Sequence, residues 1–451
     1  MIASCTLGLI MMAGCNNVQT YCAAQVFYNV GYYGIDFTLT IFVADTSKLK
    51  NRALMIAYTS SPWLAITWAY GPATSSILNT IGFRWGFGIW AIVYPVASAP
   101  LFYVFYKNNK KAHEAGLVPA RPDSGRTFAQ SVVYYAKEFD IIGLLLLSAG
   151  LGMFLLSFSL YSYQASGWHS ALTICLITFG ALLIVAFALY ERFLAPVTFI
   201  PWALMKNRTV FFTYTMVASL YCAYALWDSY FYSFLIVVFD VSIAQATYIT
   251  NIYTIGSCFW ALVIGVIIKF SGRLKTHALF FGVPITILGV ALMIKFRQPD
   301  TPIGYIVMCH IFIAFGGGTL VICEQMTVMA VSKHQHIPAI LAMEAMIANI
   351  GSSIGATIAA AMWTGIFPVK LARFLPASAQ DELLDIYGSL DVQSGYPVGS
   401  PTRIGIDTAY GETQKLMLVA ATSLYSITLV SVMLWKEVNI KDIKQVRGRV
   451  I

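Results

Sequence analysis

The sequence predicts an all-α polytopic membrane protein, and two of its properties carry that prediction. Only 11% of the 451 residues are charged, whereas 58% are hydrophobic. A soluble domain carries about 25% charged residues, so this chain cannot cover a surface that faces water. The apolar residues also gather into about twelve runs, most of them long enough to cross the hydrocarbon core of a bilayer. Lipid is therefore the expected solvent for most of the chain.

The apolar runs define the predicted membrane-spanning helices in chain order. Those of the first part of the chain lie near 1–15, 18–44, 53–81, 85–106, 139–163 and 169–190. The remaining six lie near 209–238, 245–269, 276–295, 303–331, 337–367 and 413–435. A helix needs about 20 apolar residues to cross the bilayer, and several runs are longer. We therefore expect the longer helices to tilt, to kink or to extend beyond the bilayer.

The distribution of positive charge predicts how these helices are oriented. Loops on the cytoplasmic side of a membrane protein carry an excess of Lys and Arg. When the loops are taken alternately, one set together with the C-terminal tail holds 21 of the 28 Lys and Arg residues. This asymmetry supports the helix count and predicts a cytosolic C-terminus. The basic loops also account for the net charge of +8, so no nucleic-acid partner is implied.

The eight cysteines and six histidines form no metal-binding or disulfide pattern in the sequence. The cysteines lie inside or beside apolar runs, where we expect them to behave as small hydrophobic residues. The one close histidine pair, His334 and His336, is next to Lys333 and is interpreted as part of a loop. No nucleophile–base or metal-ligand arrangement emerges, so the sequence predicts that the protein is not an enzyme.

Several motifs give the chain a family resemblance. ADTSKLKNR (44–52) and FRWGFGIW (83–90) resemble segments of fourteen-helix major facilitator transporters. Five more stretches resemble fungal siderophore–iron transporters of that superfamily. These are AAQVFYNVGYYGIDF (23–37), LWDSYFYSFLIVVFD (226–240), YITNIYTIGSCFWAL (248–262), GGGTLVICEQM (316–326) and YPVGSPTRIGIDTAYG (396–411).

The resemblance implies a proton-coupled carrier that imports ferric siderophores, by family default of the hydroxamate type, across a fungal membrane. The plasma membrane is the expected location, with endosomal vesicles as the alternative. The implied partners are the ferric siderophore, protons and the lipid bilayer. No cofactor is expected, because the siderophore already saturates the iron. The family's first two helices have no counterpart in this sequence, so we expect an N-terminally truncated chain that contains family helices 3–14.

The major facilitator resemblance also divides the chain into regions. The expected regions are the remainder of the N-terminal helical bundle (1–106), a basic cytosolic loop (107–138), two linker helices (139–190), a cytosolic loop (191–208), the C-terminal helical bundle (209–366), a long extracellular loop (367–412), the last transmembrane helix (413–435) and a cytosolic tail (436–451).

Four carboxylates fall inside predicted spans, namely Asp36, Asp228, Glu324 and Glu344. An ionisable group in lipid is costly, so each of them is a candidate for proton coupling. Asp36 is equally well explained as a structural hydrogen-bond acceptor, and Glu324 as the partner of a cytosolic cation. Glu344 is ambiguous, because the small-residue stripe that follows it at Gly351 predicts helix packing rather than ligand binding.

Aromatic residues surround Asp228 at helical spacing and predict a substrate cavity. Rings supply contact area and hydroxyl groups supply hydrogen bonds, which suits a bulky and partly polar ligand. An aromatic belt at the membrane interface is the alternative, although a belt does not need the acid. The full set of cavity candidates is Tyr221, Tyr224, Trp227, Phe231, Tyr232, Tyr253, Tyr32 and Asn29.

Two polar segments complete the candidate site. Turn-forming residues and helical spacing in 367–412 predict an ordered extracellular lid, with a passive surface loop as the alternative. The lid candidates are Tyr387, Tyr396, Arg403 and Tyr410. On the other side of the membrane, Asp45, Lys48 and Arg52 predict a short cytosolic gate loop.

Two further functions stay open at this point. An aromatic cavity serves transport in either direction, so a multidrug or toxin exporter of the same fold is one alternative. A transport-inactive, truncated sensor or partner subunit is the other.

Overall fold

The computed structural model describes residues 1–117, 125–161, 164, 166–198, 205–332, 336–441 and 443. Within these residues every named element is a helix, which confirms the predicted all-α class. Lys333 and His334 lie outside the described residues. Contacts between the helices divide the chain into two compact units, one formed by Met1–Val43 with Ala69–Tyr134 and the other by Ala44–Trp68 with Tyr135–Ile451.

The helices are numbered here in chain order. The first eight are α1 (Ile2–Gly14), α2 (Val18–Thr46), α3 (Leu49–Thr59), α4 (Trp63–Thr80), α5 (Gly82–Glu114), α6 (Phe128–Glu138), α7 (Ile141–Leu160) and α8 (Ala171–Phe193). The next five are α9 (Arg208–Asp228), α10 (Phe231–Phe239), α11 (Ile243–Thr250), α12 (Ile252–Ser271) and α13 (Lys275–Phe296). The last five are α14 (Ile303–Ala330), α15 (Ile337–Phe374), α16 (Leu383–Gly388), α17 (Leu390–Gly395) and α18 (Pro401–Leu434).

Nine of the described helical stretches are long and apolar enough to cross a membrane. They are α5, α7, α8, α9 with α10, α11 with α12, α13, α14, α15 and α18. Three of the twelve predicted runs are not among them. Run 1–15 forms a helix of only 13 residues, and run 18–44 forms α2, which carries several polar side chains. Run 53–81 is divided into α3 and α4 by a turn that contains Pro62, which has no N–H group to continue the helix.

In the first unit, α1 packs closely on α2 and α5. A side chain at Gly8 would collide with the backbone of Tyr28, so glycine lets the two helices touch. The apolar centre of this contact consists of Leu9, Met12, Ala24 and Ala91, all of which are buried.

In the second unit, α9 packs along α15 and α18, while α14 packs against α12 and α13. Small residues of α15 make the first contact close: a Cβ atom at Gly351 would meet the Ala218 carbonyl, and one at Gly355 would meet the Cys222 carbonyl. This is the packing that the small-residue stripe predicts. Helix α7 pairs with α8 and also contacts α15, where the Tyr161 and Thr364 hydroxyl oxygens are 3.1 Å apart.

Two features of the helices differ from the predicted spans. The run 209–238 is broken after Asp228, because Tyr230 adopts a left-handed backbone conformation with φ of 59°. Helix α13 contains a π-helical turn at Ala278–Gly282, which inserts one extra residue per turn.

The segment predicted as the extracellular loop 367–412 is largely helical. Helix α15 continues into it and ends at Phe374, and α16 and α17 follow. The last long helix already begins at Pro401 rather than near 413. The Ser400 side chain accepts a hydrogen bond from the backbone N–H of Arg403, and Pro401 occupies the first helical turn, where its missing N–H costs nothing.

We predict that Gly355→Ala lowers the stability of the second unit, because its methyl group would overlap the Cys222 carbonyl. Overpacking of this kind costs about 1–3 kcal/mol, which lowers the apparent melting temperature of the detergent-solubilised protein by several degrees. Gly365→Ala in the same helix is the matched control, since its Cβ would meet only the Tyr161 hydroxyl at 3.8 Å. Equal melting temperatures for the two variants would contradict the packing role.

Candidate functional site

A cavity of about 310 Å³ lies within the second unit, between α9, α12, α13, α14 and α18. Most of its lining is apolar or aromatic, and six of the lining residues carry hydroxyl groups. The lining residues are Leu220, Tyr221, Tyr224, Trp227, Tyr253, Ser257, Thr286, Ile313, Gly317, Val321 and Tyr425. A cavity that combines rings with a few hydroxyl groups matches the usual lining of a small-molecule site.

Helical periodicity explains why these residues share one wall. On α9, Tyr221, Tyr224 and Trp227 follow one another at spacings of three, so they lie on one face. On α14, the lining residues Ile313, Gly317 and Val321 recur every four positions, and Tyr253 and Ser257 do the same on α12. Each helix therefore presents one stripe to the cavity.

The rings that line the cavity pack against one another. The ring centroids of Tyr224 lie 5.2 Å from those of both Trp227 and Tyr253, and Trp227 lies 5.8 Å from Tyr253. Gly317 makes room for this arrangement, because a Cβ atom at that position would lie 2.8 Å from the Tyr253 hydroxyl. The triple glycine Gly316–Gly318 thus permits close helix approach, while α14 itself stays continuous.

Asp228 is the last residue of α9 and follows the lining residue Trp227. Its carboxylate is half-buried and interacts electrostatically with the Tyr224 hydroxyl and with the Arg297 guanidinium. Arg297 is completely buried, and its Nη1 donates a hydrogen bond of 2.7 Å to the Trp227 carbonyl. Arg297 therefore supports the end of α9, the helix that carries four of the lining residues.

His310 and Phe231 continue the same cluster. The Arg297 guanidinium lies 4.1 Å from the Phe231 ring centroid, and the His310 ring stacks on Phe231 at 4.6 Å. His310 Nδ1 bonds to the Ile306 carbonyl at 2.9 Å, and its Nε2 has no partner among the described residues. The predicted cavity residue Phe231 is thus a buried part of this cluster and does not line the cavity.

Glu324 and Glu344 lie toward the opposite end of the second unit, on α14 and α15. Both side chains are buried, with exposed fractions of 1% and 4%. Glu324 is one turn beyond the lining residue Val321, and Tyr221 of the cavity wall interacts electrostatically with both carboxylates. The structure therefore buries both acids and places Glu324 one helical turn from the cavity wall.

The remaining candidates lie elsewhere. Tyr232 of α10 is exposed and does not line the cavity. Asp36, Tyr32 and Asn29 belong to α2 in the first unit, where Asp36 and Tyr32 are exposed and the Asn29 side chain donates to the Gln25 carbonyl at 2.8 Å. The cavity described above thus contains four of the eight predicted cavity residues, Tyr221, Tyr224, Trp227 and Tyr253.

Arg403, a lid candidate, is buried and holds several chain segments together. Its Nε and Nη2 donate to the Val237 carbonyl at the end of α10, and its Nη1 donates to carbonyls at the end of α17 and just after it. It also pairs with Asp407 at 3.4 Å and Asp240 at 3.5 Å. These bonds occupy the guanidinium, so Arg403 connects the predicted lid segment to the end of α10.

The three tyrosines of the predicted lid make different contacts. Tyr410 is buried, donates to the Gln393 side chain at 2.8 Å and packs on Phe367, with ring centroids 4.7 Å apart. The Tyr387 ring lies 6.2 Å from the same phenylalanine. The Tyr396 hydroxyl donates to the Glu382 carboxylate, and this bond raises the pKa of the phenol. The segment 367–412 is an ordered structure, as the helical spacing of its sequence predicts.

The predicted gate loop follows α2. Arg52 is buried and donates to the carbonyls of Ala44 at 2.6 Å and Ser47 at 3.2 Å, whereas Lys48 is exposed. Asp45 is exposed as well, and its charge interacts with that of Arg52. Arg52 thus fixes the turn between α2 and α3.

Sequence reasoning missed several residues of the site. Arg297 lies between the predicted spans 276–295 and 303–331, so the sequence pattern treats it as a loop residue, and no neighbour in sequence distinguishes His310. Thr286 lies on α13 and Tyr425 on α18, and no acid or aromatic pattern near them in sequence indicates a cavity. The one signal in the sequence concerns Arg297, a basic residue that follows the end of a predicted helix. Basic side chains at such positions commonly bind terminal carbonyl groups of helices.

Comparison with known proteins shows extensive similarity. Residues 1–356 match the family model described as Major Facilitator Superfamily. The chain is 55% identical over 451 residues to MFS siderochrome iron transporter 1 of Ajellomyces capsulatus. The alignment covers 100% of this chain and 76% of the relative. It is 43% identical to MFS siderochrome iron transporter D of Aspergillus fumigatus (98% and 73% covered) and 40% identical to siderophore iron transporter mirB of Emericella nidulans (100% and 74% covered).

We predict that Arg403→Lys loosens the lid, because a lysine cannot reproduce the forked hydrogen bonds to α10 and α17. Each hydrogen bond to a charged group contributes about 1.5–3 kcal/mol, so backbone amides of α17 should exchange with deuterium about tenfold faster or more. Arg373→Lys at the exposed end of α15 is the matched control. Unchanged exchange in the Arg403 variant would show that the lid is held by other contacts.

Proposed function

The chain belongs to the major facilitator superfamily and is a multi-pass membrane transporter rather than an enzyme, and we propose that it imports ferric siderophores together with protons. Relatives that are 40–55% identical over nearly the whole chain are named siderochrome or siderophore iron transporters. Transport of siderophore-bound iron is therefore the activity that similarity supports, and the direction, the coupling ion and the siderophore type are our further proposals.

The observation that carries the proposal is the aromatic cavity of the second unit. Among the residues that the structure describes, no Lys or Arg side chain lines it, and hydroxyl groups are spread over four of its helices. Three hydroxamate groups neutralise ferric iron, whereas three catecholates leave a large negative charge on the complex. An uncharged, oxygen-rich chelate matches rings and hydroxyl groups, and an anionic one would leave its charge unpaired. We therefore propose hydroxamate siderophores as the substrates.

The size of the cavity bears on how the substrate enters. A volume of about 310 Å³ is at the lower end for small-molecule sites. A bulky chelate therefore requires the lining helices to move apart, as transporters do when they alternate between two open states. We therefore interpret this conformation as one in which the cavity is closed.

Proton coupling is proposed because acids lie on both sides of this cavity. Asp228 lies at one end of α9, and Glu324 and Glu344 lie toward the other. Acids in lipid are costly, and transporters keep them where they carry protons. With the orientation predicted from the basic loops, Asp228 and the lid face the outside and the two glutamates are closer to the cytosol. A fungal plasma membrane is the proposed location.

The test is uptake of radiolabelled iron by yeast cells that lack their own siderophore carriers. The cells express the chain and receive ferrichrome, ferrioxamine B or ferric enterobactin, which are a neutral hydroxamate, a cationic hydroxamate and an anionic catecholate complex. We expect uptake from at least one hydroxamate, no uptake from the catecholate, and loss of uptake when a protonophore collapses the proton gradient.

Other results would point to other functions. Uptake from the catecholate alone would overturn the proposed hydroxamate type, and uptake that ignores the protonophore would overturn proton coupling. Release of preloaded chelate without uptake would favour an exporter. No transport in either direction, with the protein present at the membrane, would favour a sensor or a partner subunit.

We predict that Asp228→Asn reduces hydroxamate uptake about tenfold, equivalent to about 1.4 kcal/mol, while membrane abundance stays unchanged. The amide keeps the shape of the side chain and removes the charge that faces Tyr224 and Arg297. Asp300→Asn in the exposed turn after α13 is the matched control. Full uptake by the Asp228 variant would exclude this residue from the transport cycle.

A further inference from the structure

The segment that follows α18 crosses one end of the second unit. We call residues 435–441 the C-terminal strap. Two of its side chains, Trp435 and Ile440, are buried, with exposed fractions of 3% and 1%. Segments outside regular helices usually run over the surface of a protein. The burial of two large side chains therefore shows that the strap packs against the bundle.

The strap pairs with the turn between α12 and α13. Arg273 of this turn and Asn439 of the strap face each other as an antiparallel bridge. The Ile440 backbone N–H also donates to the Gly272 carbonyl at 2.9 Å. Gly272 has a left-handed φ of 75°, and a Cβ atom there would overlap the Asn439 side chain. Glycine at this position therefore both ends α12 and lets the strap come close.

Helix α13 binds the strap through two side chains of its first turn. Lys275 Nζ donates to the Met433 and Trp435 carbonyls, each at 2.8 Å. Carbonyls at the end of a helix have no partner within it, so this lysine satisfies an orphan group of α18. The Thr276 hydroxyl donates to the Glu437 carboxylate at 3.2 Å. The start of α13 is thus bonded to the strap and to the end of α18.

The strap also contacts α9. The Lys436 backbone N–H donates to the hydroxyl oxygen of Thr209, a buried residue in the first turn of α9, at 3.2 Å. Helices α9 and α13 begin at this end of the unit, and α12 and α18 end there. The strap therefore connects four of the five helices that line the cavity, and it connects them at one common end.

We propose that the C-terminal strap is a latch that must leave the turn between α12 and α13 before the cavity can open toward the cytosol. The inference rests on the proposed function, which it extends by naming a segment that controls substrate release. A bulky chelate requires the lining helices to move apart. Helices bonded to one segment cannot separate at that end while the bonds persist. With the orientation predicted from the basic loops, this end faces the cytosol.

The contacts of the strap can break and form again without unfolding a helix. The bond between Thr276 and Glu437 is exposed to solvent, and the Lys436 side chain is exposed as well. Water replaces such hydrogen bonds at a small net cost in free energy. Burial of Trp435 and Ile440 favours the bound position of the strap. The strap thus has the properties of a reversible contact.

The first experiment fixes the strap covalently. The bond between Ile440 and Gly272 makes Arg273 and Asn439 a non-hydrogen-bonded pair, in which the Cα atoms are about 4.5 Å apart. This separation permits a disulfide. The variant Arg273→Cys/Asn439→Cys is reconstituted in phospholipid vesicles and oxidised with copper phenanthroline. Exchange of internal for external ferrichrome labelled with radioactive iron should fall about tenfold or more, and dithiothreitol should restore it.

The matched controls are the single variants Arg273→Cys and Asn439→Cys, which each lack one of the two thiols. After the same oxidation they should exchange ferrichrome at the rate of the unmodified chain. Mass spectrometry measures the fraction of the double variant that is cross-linked. Continued exchange by the cross-linked protein would overturn the latch. Failure of the disulfide to form would overturn it too, because the strap would then not lie against the turn.

The second experiment measures opening of the cavity without a siderophore. Thr286 lines the cavity, so Thr286→Cys places a thiol in its wall. A membrane-impermeant methanethiosulfonate is applied to the cytosolic face of inverted plasma-membrane vesicles, and mass spectrometry follows modification at position 286. Adding Lys275→Met removes both bonds of the lysine to the end of α18 and the strap. We expect this change to raise the rate of modification about fivefold or more.

The matched control for the second experiment is Lys436→Met in the Thr286→Cys background. Lys436 belongs to the strap, but it binds Thr209 through its backbone N–H, which the substitution keeps. The rate of modification should therefore stay that of Thr286→Cys alone. Equal rates with Lys275→Met and Lys436→Met would contradict the latch.

If the unmodified chain exchanges neither ferrichrome nor ferrioxamine B, the proposed function fails. Modification at position 286 then still decides whether the strap controls access from the cytosol. The two failures are therefore distinguishable.

Discussion

The carbonyl groups at helix ends are the constraint on which this structure most depends. The last four carbonyls of a helix have no partner in the helix, and lipid offers no water to satisfy them. Three fully buried arginines, Arg52, Arg297 and Arg403, solve this problem in three places. Each donates to carbonyls at or just past the end of another helix: Arg52 to α2, Arg297 to α9 and Arg403 to both α10 and α17.

The break between α9 and α10 is possible because of this support. With Arg297 bound at the end of α9, the chain turns through a left-handed Tyr230, whose ring stacks on Trp363 at 4.2 Å. The break separates Asp228 and the cavity residues of α9 from the apolar helix that follows. Arg403 binds the far end of that helix and thereby connects it to the segment that follows α17. Arg297 and Arg403, which are not among the described residues that line the cavity, thus position the end of α9 and the predicted lid segment.

Sequence patterns predicted those parts of the molecule that depend on local periodicity. The helical class, the packing of Gly351 and Gly355, and the shared face of Tyr221 and Tyr224 all follow from spacing along one helix. The break at Tyr230 could not be predicted, because neither glycine nor proline marks it. The roles of the arginines depend on contacts between residues far apart in sequence. A count of positive charges treats these arginines only as loop charges.

The π-helical turn at Ala278–Gly282 has a consequence for how this bundle tolerates insertions and deletions. One residue in an α-helix corresponds to a rotation of about 100°, so the extra residue turns everything after it relative to everything before it. Thr286, one turn further along, owes its place in the cavity wall to that rotation. Deleting a single residue from the turn would swing the threonine out of the wall, although every side chain in the cavity stayed chemically the same. The composition of the cavity wall thus depends on the number of residues in the π-helical turn as well as on the types of residue in the wall.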